Sequence, residues 1–283
     1  MLAQRISSIN SISQICEETG ANVDEVSKAI GFDARIGSQF LKAGLGFGGS
    51  CFRKDIASLT YIAESLGLED VAHYWAQVNV MNERQRDRFA HKIIKRFDGN
   101  LVGHKLAVLG FAFKKNTGDP RESLAVEIIR LLLEERPAEI AIFDPFCRAE
   151  DIMRELESVC PGVGEKGVKI HSDPYLACSQ AHACVVVTDC DQFRNTPVPE
   201  KKPTVTSGSA TDGYQLDPLA CQAECKDCQV DSTRPVTMET IEWPRIAYNM
   251  LEPKWVFDGR GLLDAAELEK LGIRVDAVGR RTV

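Results

Sequence analysis

The stretch Lys105-Leu106-Ala107-Val108-Leu109-Gly110 decides the fold. Leu106 to Leu109 is an unbroken apolar run of strand length, the pattern of a strand covered on both faces. A loop follows, and from Leu124 to Leu133 apolar side chains recur at helical spacing. Asp119, Pro120 and Glu122 are expected to serve as cap, first-turn residue and third-position acid of that helix. Working outward, Ile140-Ala141-Ile142-Phe143 before Asp144-Pro145, then Cys184-Val185-Val186-Val187, then Trp255-Val256-Phe257 read as further buried strands. Strands alternating with helices predict an α/β architecture with a doubly wound, Rossmann-like parallel sheet.

Upstream of Lys105 the pattern is helical. Ile6, Ile9, Ile12 and Cys16 define a first helix running to about Glu18 and stopping at Gly20. Asn22 with Glu25 forms a capping-box pattern for a second helix ending at Gly31. Glycines crowd Lys42 to Cys51, and a third helix begins near Cys51. A long helix spans Glu69 to Phe97, with a break expected near Asn82 and a stop at Gly99. The chain therefore divides into an all-helical segment, 1–100, and a sheet domain, 101–283. An aperiodic insertion with Pro197, Pro199, Pro203, Pro218 and Pro235 interrupts the sheet domain at about 195–240 and is expected to be mobile and dispensable for the core. There is no internal repeat.

Composition excludes several classes of function. With 34 Lys and Arg against 41 Asp and Glu the net charge is −7, so no global positive field favours nucleic acid. At 44% hydrophobic and 27% charged, the chain is not disordered throughout. No run approaches the roughly 18 consecutive apolar residues of a membrane span. Met1-Leu2-Ala3-Gln4-Arg5 lacks the features of a signal peptide, so a cytoplasmic location without a membrane partner is expected. The 10 cysteines then read as reduced thiols rather than a disulfide framework.

Three stretches carry candidate chemistry. In Gly46-Phe47-Gly48-Gly49-Ser50-Cys51-Phe52-Arg53-Lys54-Asp55, free N–H groups at a helix start and two adjacent cations favour a thiolate at Cys51, the candidate nucleophile. Asp55, one helical turn on, places a carboxylate to move protons or orient water. The competing reading is a Gly-rich turn that delivers a small buried residue. A cysteine protease is disfavoured, because no histidine pairs recognisably with Cys51. Between Gly110 and Ser123 a long loop with Lys114, Lys115 and Arg121 leads from strand to helix, where doubly wound sheets bind phosphates. It lacks Gly-x-Gly-x-x-Gly, which points to an anionic ligand rather than a dinucleotide; a solvated surface loop is the alternative. Cys221, Cys225 and Cys228 have iron–sulfur-like spacing but lie in the insertion, so loop thiols and no metal are expected. Asp258-Gly259-Arg260 adds a cation at the carboxyl end of a strand.

Taken together with Ala3 to Ser13, these stretches resemble the UDP-glucose/GDP-mannose dehydrogenase family, its eukaryotic UDP-glucose 6-dehydrogenases above all. The resemblance covers all but the insertion. It implies an NAD-dependent oxidoreductase that takes UDP-glucose, two NAD and water to UDP-glucuronate and two NADH, through a thiohemiacetal and a thioester on Cys51. It further implies that Asp55 activates water, that Lys54 steadies oxyanion charge, and that Cys51, Lys54 and Arg121 face NAD. Phe40, Leu41, Lys42, Ala43, Gly44, Leu45, Gly46, Phe47 and Gly48 would line the nucleotide sugar, with Phe113, Lys114 and Arg260 opposite. Arg35 would reach the sugar of a partner subunit, in a homodimer or larger homo-oligomer built through the N-terminal helices. Where animal members carry a second arginine after Asp-Gly-Arg, this chain has Gly261. The family's catalytic Lys and Asn fall just upstream of Ala3 and its Glu farther upstream. The chain is thus expected to lack the main NAD domain and to be inactive alone. Two alternatives follow: a non-catalytic nucleotide-sugar-binding or dimerisation module, and another nucleotide-sugar 6-dehydrogenase such as one acting on GDP-mannose.

Overall fold

The apolar runs pair into one sheet. In the computed structural model, which describes residues 1–196 and 239–281, β1 (Lys105–Leu109), β2 (Glu139–Phe143), β3 (Val168–His171), β4 (Ala183–Val186), β5 (Trp255–Asp258) and β6 (Arg274–Ala277) are ordered β3-β2-β1-β4-β5-β6. All neighbouring pairs are parallel. Chain order reverses between β1 and β4, which opens a crevice beyond their carboxyl ends. The edge strands β3 and β6 escape the sequence pattern because each is short and mixes polar with apolar residues, as edges do.

The helices α1 (Leu2–Thr19), α2 (Val23–Gly31), α3 (Ser50–Ser65) and α4 (Glu69–Arg96) precede the sheet. Gly20 ends α1 in the left-handed region, with φ 79°. Two expectations are corrected here. The α4 helix runs unbroken through Asn82, whose buried side chain bonds outside its own helix. At α5 (Leu124–Glu134) the cap is Ser123, not Asp119: its hydroxyl accepts from Ala125 N at 3.1 Å and donates to Phe111 O. Glu122, with φ 54°, lies outside the helix, and Asp119 instead accepts from the Arg121 backbone and guanidinium. At α2 the Asn22 side chain accepts from Asp24 N at 2.9 Å. The remaining helices are α6 (Ala149–Val159), α7 (Pro174–Cys178), α8 (Trp243–Asn249) and α9 (Ala265–Glu269).

Both faces of the sheet are covered. On one side, Leu106, Val108, Ile140 and Val185 join Ile129 of α5 and Ile9, Val23, Leu45, Phe89 and Ile93 of the helical segment in one apolar cluster. On the other, Ala107, Leu109, Cys184 and Val256 pack with Trp243 and Ile246. The helices and the sheet thus share a core rather than meeting across a linker. Most of the insertion, with Cys221, Cys225 and Cys228, lies outside the described residues. At its described flanks, Asn195 and Asp264 exchange two bonds of 2.8 Å, and Ile241 N donates to Gln192 O. No helix among the described residues is long and apolar enough to cross a membrane.

An ionic latch ties α1 and α4 to β6. Glu17 pairs with Arg88 at 2.7 Å and Lys92 at 3.3 Å and accepts from Gly279 N at 2.7 Å; Asp276 pairs with Lys92 and, at 2.9 Å, with Arg96. Burial alone pushes the Glu17 carboxyl up, but the Arg88 hydrogen bond, the Lys92 charge and the Gly279 N–H outweigh it and hold it below its ordinary 4.5. A depressed folded-state value means stability that is fully present above 4.5 and is lost as pH falls through the folded value. Glu17→Gln should therefore lower stability at pH 7 by about 1–3 kcal/mol and flatten the acid limb of the stability curve. Urea unfolding from pH 7 to pH 3 reads both effects, and an acid limb as steep as the parent's would remove Glu17 from it.

Candidate active site

The loop from Leu41 to Gly49 is fixed before any ligand reaches it. Gly44 N donates to Asn10 Oδ1 at 2.9 Å and Gly44 O accepts from Gln85 Nε2 at 3.0 Å. Phe47 N and O both bond the Asn82 amide, at 2.8 and 3.0 Å. Gly46 has φ 112°, and a Cβ there would stand 2.3 Å from Asn82 Oδ1, so only glycine fits. Leu45 is fully buried and donates its N–H to Gly259 O, while Leu41 O accepts from Ser27. Gly49 N donates to Glu122 O at 3.1 Å, and its open face lies against the Phe113 ring, which a Cβ would meet at 2.9 Å. The loop is thereby stitched to α1, to α4 and to two loops of the sheet.

On the sheet side, carboxylates at strand ends organise the turns. Asp144 accepts from Phe111 N and Ala112 N with one oxygen and from Phe146 N and Cys147 N with the other, at 2.6–3.0 Å. The fully buried Asp258 does the same for Arg260, Leu262 and Leu263; burial pushes its carboxyl up against the lowering effect of those N–H groups. Arg260 points back across the crevice, donating to Val187 O at 2.5 Å and Gly46 O at 3.1 Å. Asp189, in the loop that follows β4, pairs with Lys42 at 3.5 Å and Arg194 at 3.2 Å.

Between the two sides lies a cleft of about 1740 Å³. Its wall contains Phe40, Lys42, Ala43, Gly44, Gly46, Phe47, Gly48, Cys51, Lys54, Phe113, Lys114, Arg121 and Arg260. Leu41 and Leu45 lie behind that wall in the core. Asp55 is exposed on α3 one turn from Cys51 and is not part of the wall, and Arg35 stands in solvent, paired with Asp33 at 2.6 Å. Arg53, two residues beyond Cys51, is engaged by Glu122 at 3.0 Å. The sequence reading missed Asn10, Asn82, Gln85 and Asp189. A signal existed for the amides: Asn82 and Gln85 occupy the stripe of α4 that Val78, Phe89 and Ile93 bury.

The first strand-to-helix turn of the sheet does not fit the NAD that the resemblance implies. The N–H groups of Phe111 and Ala112, which would meet a pyrophosphate, are spent on Asp144. Above Gly110 the approach is filled by Thr188, which a Cβ at that glycine would meet at 2.4 Å. No group of three or more His, Cys, Asp or Glu among the described residues is placed to hold a metal ion.

Comparison with known proteins agrees with this geometry at the level of family. Residues 1–84 match the central domain, and residues 107–218 the UDP binding domain, of the UDP-glucose/GDP-mannose dehydrogenase family. The chain belongs to this family. It is 42% identical over 284 residues to the UDP-glucose 6-dehydrogenase of Drosophila melanogaster, covering 99% of this chain and 50% of that one. A solved UDP-glucose dehydrogenase from Pyrobaculum islandicum is similar with 36% identity and a TM-score of 0.58, over 68% of this chain and 41% of the other. The NDP-N-acetyl-D-galactosaminuronic acid dehydrogenase of Methanosarcina mazei shares the fold, with a TM-score of 0.69 at 18% identity over 99% of this chain and 48% of the other. The chain spans about half the length of the curated relatives it matches.

Cys51 is the exposed cysteine among those described; Cys147 is partly covered, and Cys16, Cys160, Cys178, Cys184 and Cys190 are buried. Burial pushes the Cys16 and Cys147 thiols up, and Cys190 to about 11. Limited alkylation near pH 7.5 should label Cys51 before these six, as peptide mapping will show. Earlier labelling of any of them would contradict the placement of Cys51 at the cleft.

Proposed function

We propose that this chain carries the nucleotide-sugar pocket and the reactive thiol of a UDP-glucose 6-dehydrogenase, an NAD-dependent oxidoreductase producing UDP-glucuronate. The observation that carries the reading is that Cys51, at the start of α3, opens into the same cleft as Phe113, Lys114 and Arg260 from the carboxyl edge of the sheet. Lys42 and the loop to Gly48 take the uracil and ribose, Phe113 and Lys114 the pyrophosphate and sugar, and Arg260 the remaining anionic charge. Cys51 Sγ adds to the C6 aldehyde of the oxidised sugar, forming a C–S bond as the carbonyl electron pair moves to oxygen and is protonated. At the thioester stage water adds to the carbonyl, the C–S bond breaks, and the thiol leaves a carboxylate behind. Lys54 steadies the oxyanion and Asp55 orients the water. NAD, the family's oxidant, would take up one hydride from C6 of the alcohol and a second from the thiohemiacetal carbon, which leaves the thioester; its main site is not on this sheet, and Cys51, Lys54 and Arg121 would form the rim that faces it.

The chain is further proposed to act as a cytoplasmic homodimer or larger assembly through its N-terminal helices, with Arg35 reaching a partner subunit's sugar. Exposed Leu59 and Ile62 of α3 and Leu66 just past its end, with Val71 and Tyr74 of α4, support self-association. A second reading, a binding module without catalysis, is favoured by the misfit of a dinucleotide at the Gly110 turn.

Calorimetry with UDP-glucose, GDP-mannose and UDP-N-acetylglucosamine tests the pocket. UDP-glucose should bind tightest and should protect Cys51 from alkylation; tighter GDP-mannose binding would transfer the proposal to that substrate. In an NADH-absorbance assay the chain alone should give no turnover. NADH formation at a rate typical of dehydrogenases, on the order of 1–10³ s⁻¹, would overturn both the assignment of the NAD site elsewhere and the module reading.

A further inference from the structure

We infer that Asn82, with Gln85 and Asn10, positions the backbone of the Gly44–Phe47 loop for the nucleotide sugar, so that ligand affinity depends on buried amides outside the loop itself. The inference rests on the pocket proposed above and goes beyond it, because the resemblance assigns these three residues no role. Asn82 is 7% exposed and Gln85 1%, and Asn10 is fully buried. Such amides cost free energy in an apolar stripe unless they are bonded. The Asn82 bonds go to the loop alone, Gln85 divides its bonds between the loop and Ser13 and Gln14 of α1, and Asn10 spends its oxygen on the loop while its Nδ2 has no partner among the described residues. Asn82 takes both the donor and the acceptor of Phe47, Gln85 the acceptor of Gly44, and Asn10 the donor of Gly44.

The consequence for a ligand lies in what is left over. Gly46 O is claimed by Arg260 and Leu45 N by Gly259 O, whereas Gly46 N and Gly48 N have no hydrogen-bond partner among the described residues. Both glycines line the cleft. The amides therefore decide which loop donors are spent internally and which remain for oxygen atoms of a ligand. Asn82 also fixes the planes of the two peptides that flank Phe47, one carrying Gly46 O and the other Gly48 N. A one-sided loss would let the loop turn its own carbonyls toward an anionic ligand, which repels it. Packing alone does not explain the pattern, since leucine would fill the stripe of α4 without the cost of burying amides.

The test is a UDP-glucose titration by calorimetry, with a melting curve for every protein. Asn82→Asp keeps the shape and the acceptor for Phe47 N but removes the donor to Phe47 O; Gln85→Met keeps the length and removes the donor to Gly44 O together with the bonds to Ser13 and Gln14 of α1. Each should weaken UDP-glucose by roughly tenfold, the scale expected for a buried polar group left unpaired. The comparison protein is Ser7→Ala, which deletes the buried bond from Ser7 Oγ to Val78 O at 2.8 Å in the same α1–α4 contact without touching the loop. It should lower the melting temperature and leave the affinity within about twofold. Affinities of Asn82→Asp and Gln85→Met within twofold of the parent would overturn the inference while leaving the pocket intact. So would an equal loss in Ser7→Ala, which would make the effect one of general destabilisation. If Asn82→Asp does not fold, Gln85→Met carries the comparison. Failure of the parent chain to bind UDP-glucose overturns the proposed function, and this inference with it.

Discussion

The paired bonds between the Asn82 amide and both backbone groups of Phe47 hold the rest of the site in place. They force position 46 to be glycine, since a Cβ would stand where the amide oxygen is, and they draw the loop against the unbroken α4. With the loop held there, Gly46 O accepts from the Arg260 guanidinium and Gly49 N reaches Glu122 O, so the two sides of the cleft are tied together by one side chain and one backbone bond. Cys51 follows at once in the chain and inherits its position from this arrangement. An amide rather than a charge makes the clamp, and a neutral group is far cheaper to bury than an ion while still satisfying a donor and an acceptor together.

The opposite side achieves rigidity by a different device. Asp144, Asp258 and Ser123 stand at the end of a strand or the start of a helix, and each uses its side chain to bond backbone groups of a turn. Such local bonds replace the regular ladder where the chain must reverse. They also bear on the ligand class proposed for the sheet. Turns whose N–H groups are already taken offer side-chain cations such as Lys114 and Arg260 rather than a bare helix start. That suits a nucleotide sugar reaching the sheet from outside better than a dinucleotide laid along its first turn.

Much of this was legible in the residues themselves. The apolar runs at β1, β2, β4 and β5 are long and uninterrupted, and a central parallel strand leaves no freedom to be anything else. The crowding of glycines before Cys51 was legible, but not their neighbours, the Asn82 amide at Gly46 and the Phe113 ring at Gly49. What stayed hidden depends on distant partners. Asn82 read as a helix break because asparagine is a weak helix former, yet tertiary bonds override that local preference. Ser123 lost the reading of the cap to Asp119 because both suit that role, and only the positive φ of Glu122 decides where the helix begins. The strands β3 and β6 carried too little apolar signal to stand out from loop.

The latch between Glu17 and Gly279 joins residues 262 positions apart, and the bond from Arg260 to Gly46 spans 214. Closing such contacts costs chain entropy that no local structure repays beforehand. During synthesis the helical segment emerges ahead of the sheet domain, so its glycine loop and thiol are made before Arg260 can finish the wall. The apolar faces of α1 and α4 that pack on the sheet are then uncovered until β1, α5 and β2 follow, which is the interval in which a nascent chain most needs shelter from aggregation.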